Sequence, residues 1–429
     1  MKTVLVLGMR ASGISASALL KKRGVRVRCY DDNLSIPDNW KGRGDAIFDG
    51  LDAICVSPGV PNTHPILIEA KNRGIEVFSE LDLGVAALNC QIIMITGTNG
   101  KTTTVDMVER GLNLAGMRAK ATGNAGYPAS QVVLDDRKWD WAVVEASSFQ
   151  LEYTSNIQAH IAVVLNLAPD HIDRYSEFSE YIEAKKRVFM NQTEDDYAIL
   201  NYDSKQVREL AKDLKSKVIF VSATNVIGDF YIKDDYYVYK GEPLISVKDS
   251  RIKGEHNKFN MLVALNILAI AGASKDKFSA LIRDYKSLPH RIEYVSTIEG
   301  KRFYNDSKGT NIAACKAAIN VMLGSNIGLI LGGSDKREDF CDFFDELNVD
   351  VKYVAVTGAN ESKIYGSALK VGFQNISIYD SLYDAVKALY DMPNIDTILF
   401  SPACASFDRY SSYAERGDRF KQIVYGFKT

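Results

Sequence analysis

The chain has 429 residues, a formal net charge of −2 and 46% hydrophobic residues. This length suggests two to four domains, and the near-neutral charge gives no signal for nucleic acid or an anionic membrane as a partner. No apolar run approaches the roughly 20 residues that span a bilayer, so we expect no membrane insertion. The 6 cysteines are scattered without a Cys-x-x-Cys pair, which favours a cytoplasmic protein with reduced thiols over a disulfide framework or a zinc site.

Strands and helices alternate at the start of the chain. The pattern predicts strands at residues 3–7, 25–30 and 53–56 and a helix at residues 12–22. Such a strand–helix–strand beginning is typical of a parallel sheet in an α/β protein.

The first predicted turn carries glycines at Gly8 and Gly13. The dinucleotide fingerprint expects a third glycine between them, but Arg10 occupies that place. Asp31 nevertheless ends the second strand, where a ribose-binding acid would lie. These residues leave two hypotheses open: a site for NAD, or a site for another nucleotide at the same strand ends.

A stronger signal follows the apolar residues 92–95, which predict a buried strand. The chain continues Gly97-Thr98-Asn99-Gly100-Lys101-Thr102-Thr103, and a helical pattern then extends over residues 102–115. This pattern predicts a phosphate site, because it combines a strand, a glycine-rich loop, a lysine and a hydroxyl residue at a helix start. We call residues 97–103 the phosphate loop. The fit to the general P-loop pattern is imperfect, because Ile95 stands where that pattern expects glycine.

Polar side chains follow the next two predicted strands, at residues 141–145 and 161–166. Glu145 ends the first of them, Asn166 ends the second, and Asp170 and His171 follow it. Ligands bind at the carboxyl edge of a parallel sheet, so Glu145 is a candidate magnesium ligand. Lys185 lies on a predicted helix, and its spacing alone indicates a solvated surface lysine.

The pattern changes to short alternating runs between residues 229 and 247, which predict antiparallel hairpins. A helix is predicted over residues 257–271, and three strands follow at 327–331, 353–356 and 397–400. We place domain boundaries near Asn89 and Leu288, giving three α/β domains at residues 1–89, 90–288 and 289–429. The first and third are Rossmann-like, and the central one is P-loop ATPase-like with a mostly parallel sheet and a small antiparallel sheet.

Polar loops also adjoin predicted strands of the third domain. Three stretches share this position: Asp306-Ser307-Lys308-Gly309-Thr310-Asn311, Gly332-Gly333-Ser334-Asp335-Lys336 and Ser401-Pro402-Ala403-Cys404-Ala405-Ser406-Phe407-Asp408. Because they lie on one edge of the predicted sheet, they could form one wall of a cleft.

Taken together, these stretches resemble the Mur ligases. The resemblance rests on the phosphate loop, on 145–152, 170–175, 256–257, 288–291 and 305–308, and on 399–408, all in the family's order. It implies a monomeric, ATP- and Mg²⁺-dependent amide ligase of peptidoglycan synthesis. The implied partners are UDP-N-acetylmuramoyl-L-alanine, ATP and D-glutamate, with the three substrates assigned to the first, second and third domains respectively.

The resemblance also assigns residues to each ligand. The residues implied for ATP are Gly97, Thr98, Asn99, Gly100, Lys101, Thr102, Thr103, Asn257 (adenine), Arg291 (phosphate) and Asp306 (ribose). The residues implied for the UDP substrate are Ser12, Asp32, Asn33, Ser57, Gly59, Asn124, Ser147 and His171; Asp32 and Asn33 stand at the uracil positions but differ from the residue types typical of the family. The residues implied for the acceptor are Lys308, Thr310, Lys336, Ser406, Phe407 and Tyr413.

For catalysis the resemblance implies Lys101, Glu145, His171 and Lys185. Two magnesium ions are implied at Thr102, Glu145, His171 and Lys185, with Lys185 carbamylated. This implied role replaces the solvated surface position that the spacing of Lys185 indicates. A carbamate turns the lysine from a cation into an oxygen ligand that suits magnesium.

Two departures from the family pattern concern the acceptor. The acid of the family's Gly-Gly-Asp-Gly-Lys pattern is displaced to Asp335, and Tyr413 replaces an expected phenylalanine. A displaced acid and an added hydroxyl could accept an amine, so a diamino acid such as D-lysine stays open as a second acceptor.

Three other functions compete with this interpretation. A folylpolyglutamate synthase shares the fold and the phosphate chemistry, but residues 288–291 and 401–408 favour a Mur ligase. An NAD-dependent oxidoreductase is disfavoured by Arg10 and by the phosphate loop. A GTPase-like switch is disfavoured because the chain has no guanine-selecting Asn-Lys-x-Asp stretch.

Overall fold

The computed structural model describes residues 2–32, 44–124, 127–170, 174–175, 177–252, 254–286, 288–334 and 339–427. Contacts between Cα atoms divide the chain into two compact units. The first unit comprises Met1–Pro169, Arg174–Ser250 and Phe259–Asp284, and the second comprises Asp170–Asp173, Arg251–Lys258 and Tyr285–Thr429.

The first unit begins with a small α/β layer. Its elements are β1 (Thr3–Leu7), α1 (Ala11–Lys22), β2 (Arg26–Tyr30), β3 (Ala53–Val56), α2 (Pro65–Asn72), β4 (Glu76–Ser79) and α3 (Glu80–Val85). The strands form a parallel sheet in the order β2-β1-β3-β4. Every residue of β1 and β3 is buried, since inner strands of a parallel sheet are covered on both faces. The parallel sheet expected here is confirmed.

A larger parallel sheet follows in the same unit. Its elements are β5 (Gln91–Thr96), α4 (Lys101–Leu114), β6 (Ala119–Gly123), α5 (Ala129–Leu134), β7 (Trp141–Glu145), α6 (Ser148–Leu151), β8 (Ile161–Val164), α7 (Phe178–Lys186), β9 (Tyr197–Asn201), α8 (Lys205–Glu209) and β10 (Lys217–Val221). The order is β10-β9-β8-β5-β7-β6. Because β5 lies between β8 and β7, the loops that follow these three strands meet at one edge.

The predicted hairpins form a separate antiparallel sheet. Its strands are β11 (Phe230–Lys233), β12 (Tyr236–Tyr239) and β13 (Glu242–Ser246), followed by α9 (Glu255–Ile270) and α10 (Lys275–Asp284). Phe230 and Tyr239 stack with ring centroids 4.4 Å apart, and Phe278 of α10 packs edge-on against Phe230 at 5.1 Å. This aromatic cluster fixes the small sheet on α10.

The second unit contains a six-stranded mixed sheet. Its elements are β14 (Glu293–Ile298), β15 (Lys301–Asn305), α11 (Ile312–Val321), β16 (Ile327–Leu331), α12 (Cys341–Asp345), β17 (Val351–Val356), α13 (Glu361–Lys370), β18 (Ile376–Ile378), α14 (Leu382–Asp391), β19 (Thr397–Phe400) and α15 (Tyr413–Gly426). The order is β14-β15-β19-β16-β17-β18, and only the β14–β15 pair is antiparallel.

The β14–β15 hairpin is absent from the sequence prediction. Its turn is made by Glu299 and Gly300, both with positive φ (47° and 82°), but the flanking residues lack a clear alternation of apolar and polar side chains. The strands predicted at 327–331 and 397–400 have the bounds found here. No helix in the described part of the chain is long and apolar enough to cross a membrane.

Candidate active site

The phosphate loop joins β5 to α4 in the first unit. β5 ends at Thr96, and α4 begins at Lys101. The Lys101 ammonium folds back over the loop and donates to the carbonyl oxygens of Gly97 and Thr98, each at 2.8 Å. The free N–H groups and positive dipole end of a helix attract anions, and the lysine adds a full charge beside them. This arrangement suits a phosphate group.

Gly100 is a loop position that only glycine fits well. Its φ is 88°, in the left-handed region, and a Cβ there would lie 2.9 Å from Asn260 Oδ1. The buried Asn260 side chain thus packs directly against the loop backbone. No sequence motif indicated this contact, because Asn260 lies on α9, far from the loop along the chain.

Side chains from the neighbouring strand end hold the loop in place. Asn166 accepts from the Asn99 N–H at 2.8 Å and donates to the Asn99 carbonyl at 2.9 Å. The Thr98 hydroxyl accepts from the Ala168 N–H at 3.0 Å and lies 3.2 Å from the Tyr181 hydroxyl. A loop fixed on both sides presents its N–H groups without rearrangement, which is what electrostatic stabilisation of a reacting phosphate requires.

Lys185 is buried, with 1% of its surface exposed. The exposed surface position that its spacing indicates is therefore wrong. Helix α7 packs Lys185 inward, and the Lys185 ammonium donates to the Gly97 carbonyl at 2.8 Å. The same ammonium lies 4.6 Å from the centre of the Tyr181 ring. A second lysine therefore reaches the phosphate loop from a helix that is distant in sequence.

Glu145 lies at the end of β7 and is 3% exposed. Its Oε1 accepts from Asn124 Nδ2 at 2.9 Å, whereas its Oε2 is buried without a hydrogen-bond partner among the described residues. A buried carboxylate oxygen is costly unless something pairs with it. Carboxylate and hydroxyl oxygens are the ligands that magnesium prefers, so Glu145, with Thr102 at the start of α4, fits this ion.

A cavity of about 430 Å³ opens at the carboxyl ends of the N-terminal strands. Its lining includes Ser12, Asp32, Ser57 and Gly59, four of the residues that the resemblance implies for the UDP substrate. The Ser57 hydroxyl donates to the Gly8 carbonyl at 2.7 Å and shapes the first turn. The cavity volume suits a ligand of nucleotide size.

The other residues implied for the UDP substrate lie elsewhere. Asn124 contacts Glu145, and Ser147 caps α6 through the Gln150 N–H, so both adjoin the larger sheet. Asn33 and His171 are outside the described residues.

The second unit has its own group of polar loops at the carboxyl ends of parallel strands. We call residues 306–311, 332–334 and 401–408 the C-terminal loop cluster. Asp306 is buried within it, accepting from the Ser401 hydroxyl at 2.7 Å and from the Ile292 N–H at 3.2 Å. Burial raises the pKa of Asp306 to about 7. The Asp306 carboxyl thus joins the chain segments that contain Ser401 and Ile292.

Arg416 of α15 stabilises the C-terminal loop cluster through hydrogen bonds to its backbone. It is 3% exposed and donates to the carbonyls of Ser307, Cys404 and Ala405 at 2.8–3.0 Å. Burial lowers the pKa of Arg416 to about 10, so the guanidinium stays charged at neutral pH. No sequence motif pointed to this residue, because its partners lie about 12 and 109 positions away in the chain.

The residues implied for the acceptor are spread over this cluster and the start of α15. Ser406 is buried and Phe407 is 76% exposed, while Thr310 is half-buried. The Lys308 ammonium lies 3.9 Å from the centre of the Tyr413 ring, in cation–π contact. Lys336 and the displaced Asp335 are outside the described residues.

Asn257 and Arg291, implied for the nucleotide, are half-buried in the second unit. Burial and the positive charge of Arg291 lower the pKa of His256, which places Arg291 close to the start of α9. Among the described residues, no group of three or more His, Cys, Asp and Glu forms a metal cluster. The magnesium ligands that the resemblance implies also include Lys185 and His171, and His171 lies outside the described residues.

Comparison with known proteins defines the family. The family described as Mur ligase middle domain matches residues 95–268, and that described as Mur ligase, glutamate ligase domain matches residues 290–404. UDP-N-acetylmuramoylalanine–D-glutamate ligase from Geobacillus kaustophilus is 34% identical over 444 residues, covering 100% of this chain and 98% of its own. The relative of the same name from Caldanaerobacter subterraneus is 35% identical over 441 residues, covering 99% and 98%. The chain belongs to the Mur ligase family.

The fold agrees with this assignment. The solved structure of UDP-N-acetylmuramate-alanine ligase from Thermotoga maritima is similar with a TM-score of 0.62 at 16% identity, covering 99% of this chain and 100% of that chain. At that identity the likeness concerns the fold alone. The family and the α/β fold class predicted from the sequence are therefore confirmed.

Proposed function

We propose that this protein is an ATP-dependent ligase that joins D-glutamate to UDP-N-acetylmuramoyl-L-alanine. The observation that carries the proposal is the full-length identity of 34–35% with relatives of that name. We further propose that it works in the cytoplasm as a monomer, with three domains at residues 1–89, 90–288 and 289–429.

The chemistry begins from a poor acyl donor. A carboxylate cannot expel oxide, so the γ-phosphoryl group of ATP is transferred to the substrate carboxylate and gives an acyl phosphate. The amine of D-glutamate then attacks the carbonyl carbon, a tetrahedral intermediate forms, and phosphate leaves as the amide bond is made. The main obstacle is the repulsion between two anions, which positioned cations and N–H groups reduce.

In this scheme the phosphate loop binds the ATP phosphates. Its backbone N–H groups and the Lys101 ammonium supply the positive field, and Asn166 keeps the loop fixed. We assign Asn257 to adenine and Arg291 to phosphate. Asp306 is assigned to ribose, although both its oxygens already accept hydrogen bonds within the second unit.

Magnesium would be held by Thr102, Glu145, His171 and a carbamylated Lys185. When bound, it would neutralise phosphate charge and align the reacting oxygens. The buried Glu145 Oε2, for which the described residues offer no hydrogen-bond partner, supports this assignment. Carbamylation joins the Lys185 nitrogen to CO₂ and releases two protons, one when the ammonium becomes the attacking amine and one when the carbamate forms. A buried cation is thereby changed into an anion beside Glu145's edge of the sheet.

The Lys185 assignment has its own test. Intact-mass analysis of protein kept in bicarbonate and magnesium should show one carbamate, absent from Lys185→Ala. The variant should be inactive and should regain part of its activity with acetate, a small carboxylate. An unmodified lysine under these conditions would contradict the assignment.

The cavity beside β1 is proposed to bind the UDP group, with Ser12, Asp32, Ser57 and Gly59 in its lining. Asn124 and Ser147 would contact the part of the substrate that extends toward Glu145. Asn33 and His171 keep the roles that the resemblance implies.

The C-terminal loop cluster is proposed to bind D-glutamate. Lys308, Thr310 and Ser406 offer donors to its carboxylates, with Lys336 in the same role, and Phe407 and Tyr413 offer apolar walls. D-Lysine remains a second acceptor to be tested, because of Asp335 and the Tyr413 hydroxyl.

Product formation tests the proposal directly. Purified protein, ATP and magnesium are combined with UDP-N-acetylmuramoyl-L-alanine or a folate, and with D-Glu, L-Glu, D-Lys or D-Ala. Mass spectrometry should find the D-Glu amide of the UDP substrate as the main product. Absence of that product, or a glutamylated folate instead, would overturn the proposal.

A further inference from the structure

The wall of the UDP cavity contains a histidine that the scheme above does not use. His64 lines the cavity together with Asp32, and it is only 9% exposed. It immediately precedes α2 and is the N-cap residue of that helix.

The two ring nitrogens of His64 have different partners. Nδ1 accepts a hydrogen bond from the Ile66 backbone N–H at 3.2 Å. Because Nδ1 accepts, the proton of the neutral ring lies on Nε2. Nε2 lies 2.9 Å from Asp32 Oδ2 and donates to it. The start of α2 therefore fixes both the ring and the direction of its remaining N–H.

The Tyr30 side chain lies near both residues. Burial and the nearby Asp32 carboxylate raise the pKa of Tyr30, and the Tyr30 ring meets the His64 ring edge-on at 6.5 Å. The Asp32 side chain is 53% exposed and faces the cavity. A carboxylate has about four lone-pair sites, so the bond from His64 leaves acceptor capacity for a ligand.

The neighbouring acid, Asp31, has a different structural role. Asp31 Oδ2 accepts from the Met9 N–H at 2.7 Å and so stabilises the turn after β1. In α/β folds the nucleoside lies near the acid that ends the second strand. Asp32 is oriented by the His64 side chain in the cavity wall.

We infer that His64 is a positioning residue that holds the Asp32 carboxylate toward the uracil of the UDP substrate. Uracil carries one N–H donor, at N3, on its pairing edge, and a fixed carboxylate accepts from it without first losing rotamer freedom. A site built around such a bond rejects an analogue that lacks the donor. This inference rests on the proposed function and names the residue that secures its base selectivity.

Two amide substitutions separate the two roles of the ring. His64→Asn keeps an acceptor for the helix cap but is too short to reach Asp32. His64→Gln reaches Asp32 with an N–H group but loses the cap. Ser381→Ala, which removes the cap of α14, is the control for cap loss elsewhere in the chain.

The expected results are opposite for the two variants. His64→Asn should raise KM for the UDP substrate by about tenfold, as for a lost bond to a charged group, with little change in kcat or Tm. His64→Gln and Ser381→Ala should lower Tm and leave KM within about twofold, since caps affect stability. An unchanged KM in His64→Asn, or a KM that follows Tm across the set, would overturn the inference.

Calorimetric binding to the whole protein tests the base contact without catalysis. The probes are UDP, UDP methylated on uracil N3, and 2′-deoxy-UDP. The unmodified chain should bind the N3-methyl compound about tenfold more weakly than UDP, and His64→Asn should reduce that ratio toward one. In an Asp32→Ala background, His64→Asn should add less than about twofold, because coupled residues are not additive.

Discrimination against 2′-deoxy-UDP alone would assign Asp32 to ribose and overturn the uracil contact. Because binding is measured without ATP or acceptor, the two proposals fail separately. Loss of D-glutamate ligation in the unmodified chain would remove the proposed function, whereas equal binding of UDP and its N3-methyl derivative would remove only this inference.

Discussion

The phosphate loop of the first unit and the C-terminal loop cluster of the second both lie at the carboxyl ends of parallel strands, but they are held in different ways. The phosphate loop is one continuous segment, and its own lysine, Lys101, closes over it. The C-terminal loop cluster consists of three separate segments, and a buried arginine from α15 holds them together.

From this difference we expect substitutions in the phosphate loop to affect mainly activity, and substitutions in the C-terminal loop cluster to affect mainly stability. In the phosphate loop we propose that Lys101 faces the charge of a bound phosphate, so its loss should affect chemistry first. In the C-terminal loop cluster Arg416 and Asp306 bond to the protein itself, so their loss should affect folding first. The predictions below test that separation.

The largest effect is expected for Lys101→Ala. Removing a positioned cation from a phosphoryl site should cost about 2–5 kcal/mol of transition-state stabilisation, which lowers ligation by a factor of about 30 to several thousand. Thermal unfolding should be nearly unchanged, because the Lys101 ammonium donates to two carbonyls of its own loop. Lys186→Ala, on an exposed ion pair of α7, is the control and should keep full activity. Substantial ligation by Lys101→Ala would refute the phosphate-loop assignment.

Arg416→Met should destabilise the second unit without touching the phosphate loop. It removes the hydrogen bonds that Arg416 donates to three buried carbonyl oxygens, and the loss of a buried, hydrogen-bonded charge costs about 3–5 kcal/mol. Urea unfolding of the whole chain should show an earlier transition. The matched control is Arg419→Met on the same helix, where the arginine is exposed. If the two variants unfold alike, Arg416 does not hold the cluster.

Asp306→Asn should change how stability depends on pH. The folded pKa is about 7, above the ordinary value of 3.8, so between these values the folded state binds the proton and the unfolded state does not. The contribution of Asp306 to stability therefore falls as pH rises from about 4 to 7. The asparagine variant should gain up to about 4 kcal/mol relative to the unmodified chain over that range, since each pKa unit corresponds to about 1.4 kcal/mol. Parallel pH profiles for the two proteins would contradict the buried, protonated carboxyl.

The fold was largely readable from local pattern. Buried strands such as Thr3–Leu7 and Ile327–Leu331 are continuous apolar runs with glycine turns after them, and the phosphate loop is a contiguous motif. Propensity and periodicity act over a few residues, so these features appear in the sequence itself.

Contacts between distant residues could not be read in that way. Lys185 looks like a surface lysine by spacing, and only the packing of α7 shows that it reaches Gly97. Arg416 and His64 gave no signal for the same reason, because their roles depend on partners brought together by the sheet topology. The roles of individual site residues in catalysis and binding remain predictions.

The most direct test follows an oxygen atom. UDP-N-acetylmuramoyl-L-alanine labelled with oxygen-18 in its free carboxylate is incubated with the protein, ATP, magnesium and D-glutamate, and the released phosphate is analysed by mass spectrometry. The proposed mechanism predicts one labelled oxygen in phosphate for each D-glutamate joined, because the acyl phosphate breaks at the bond between carbon and the labelled oxygen. Amide formation with unlabelled phosphate would contradict phosphoryl transfer to the substrate carboxylate.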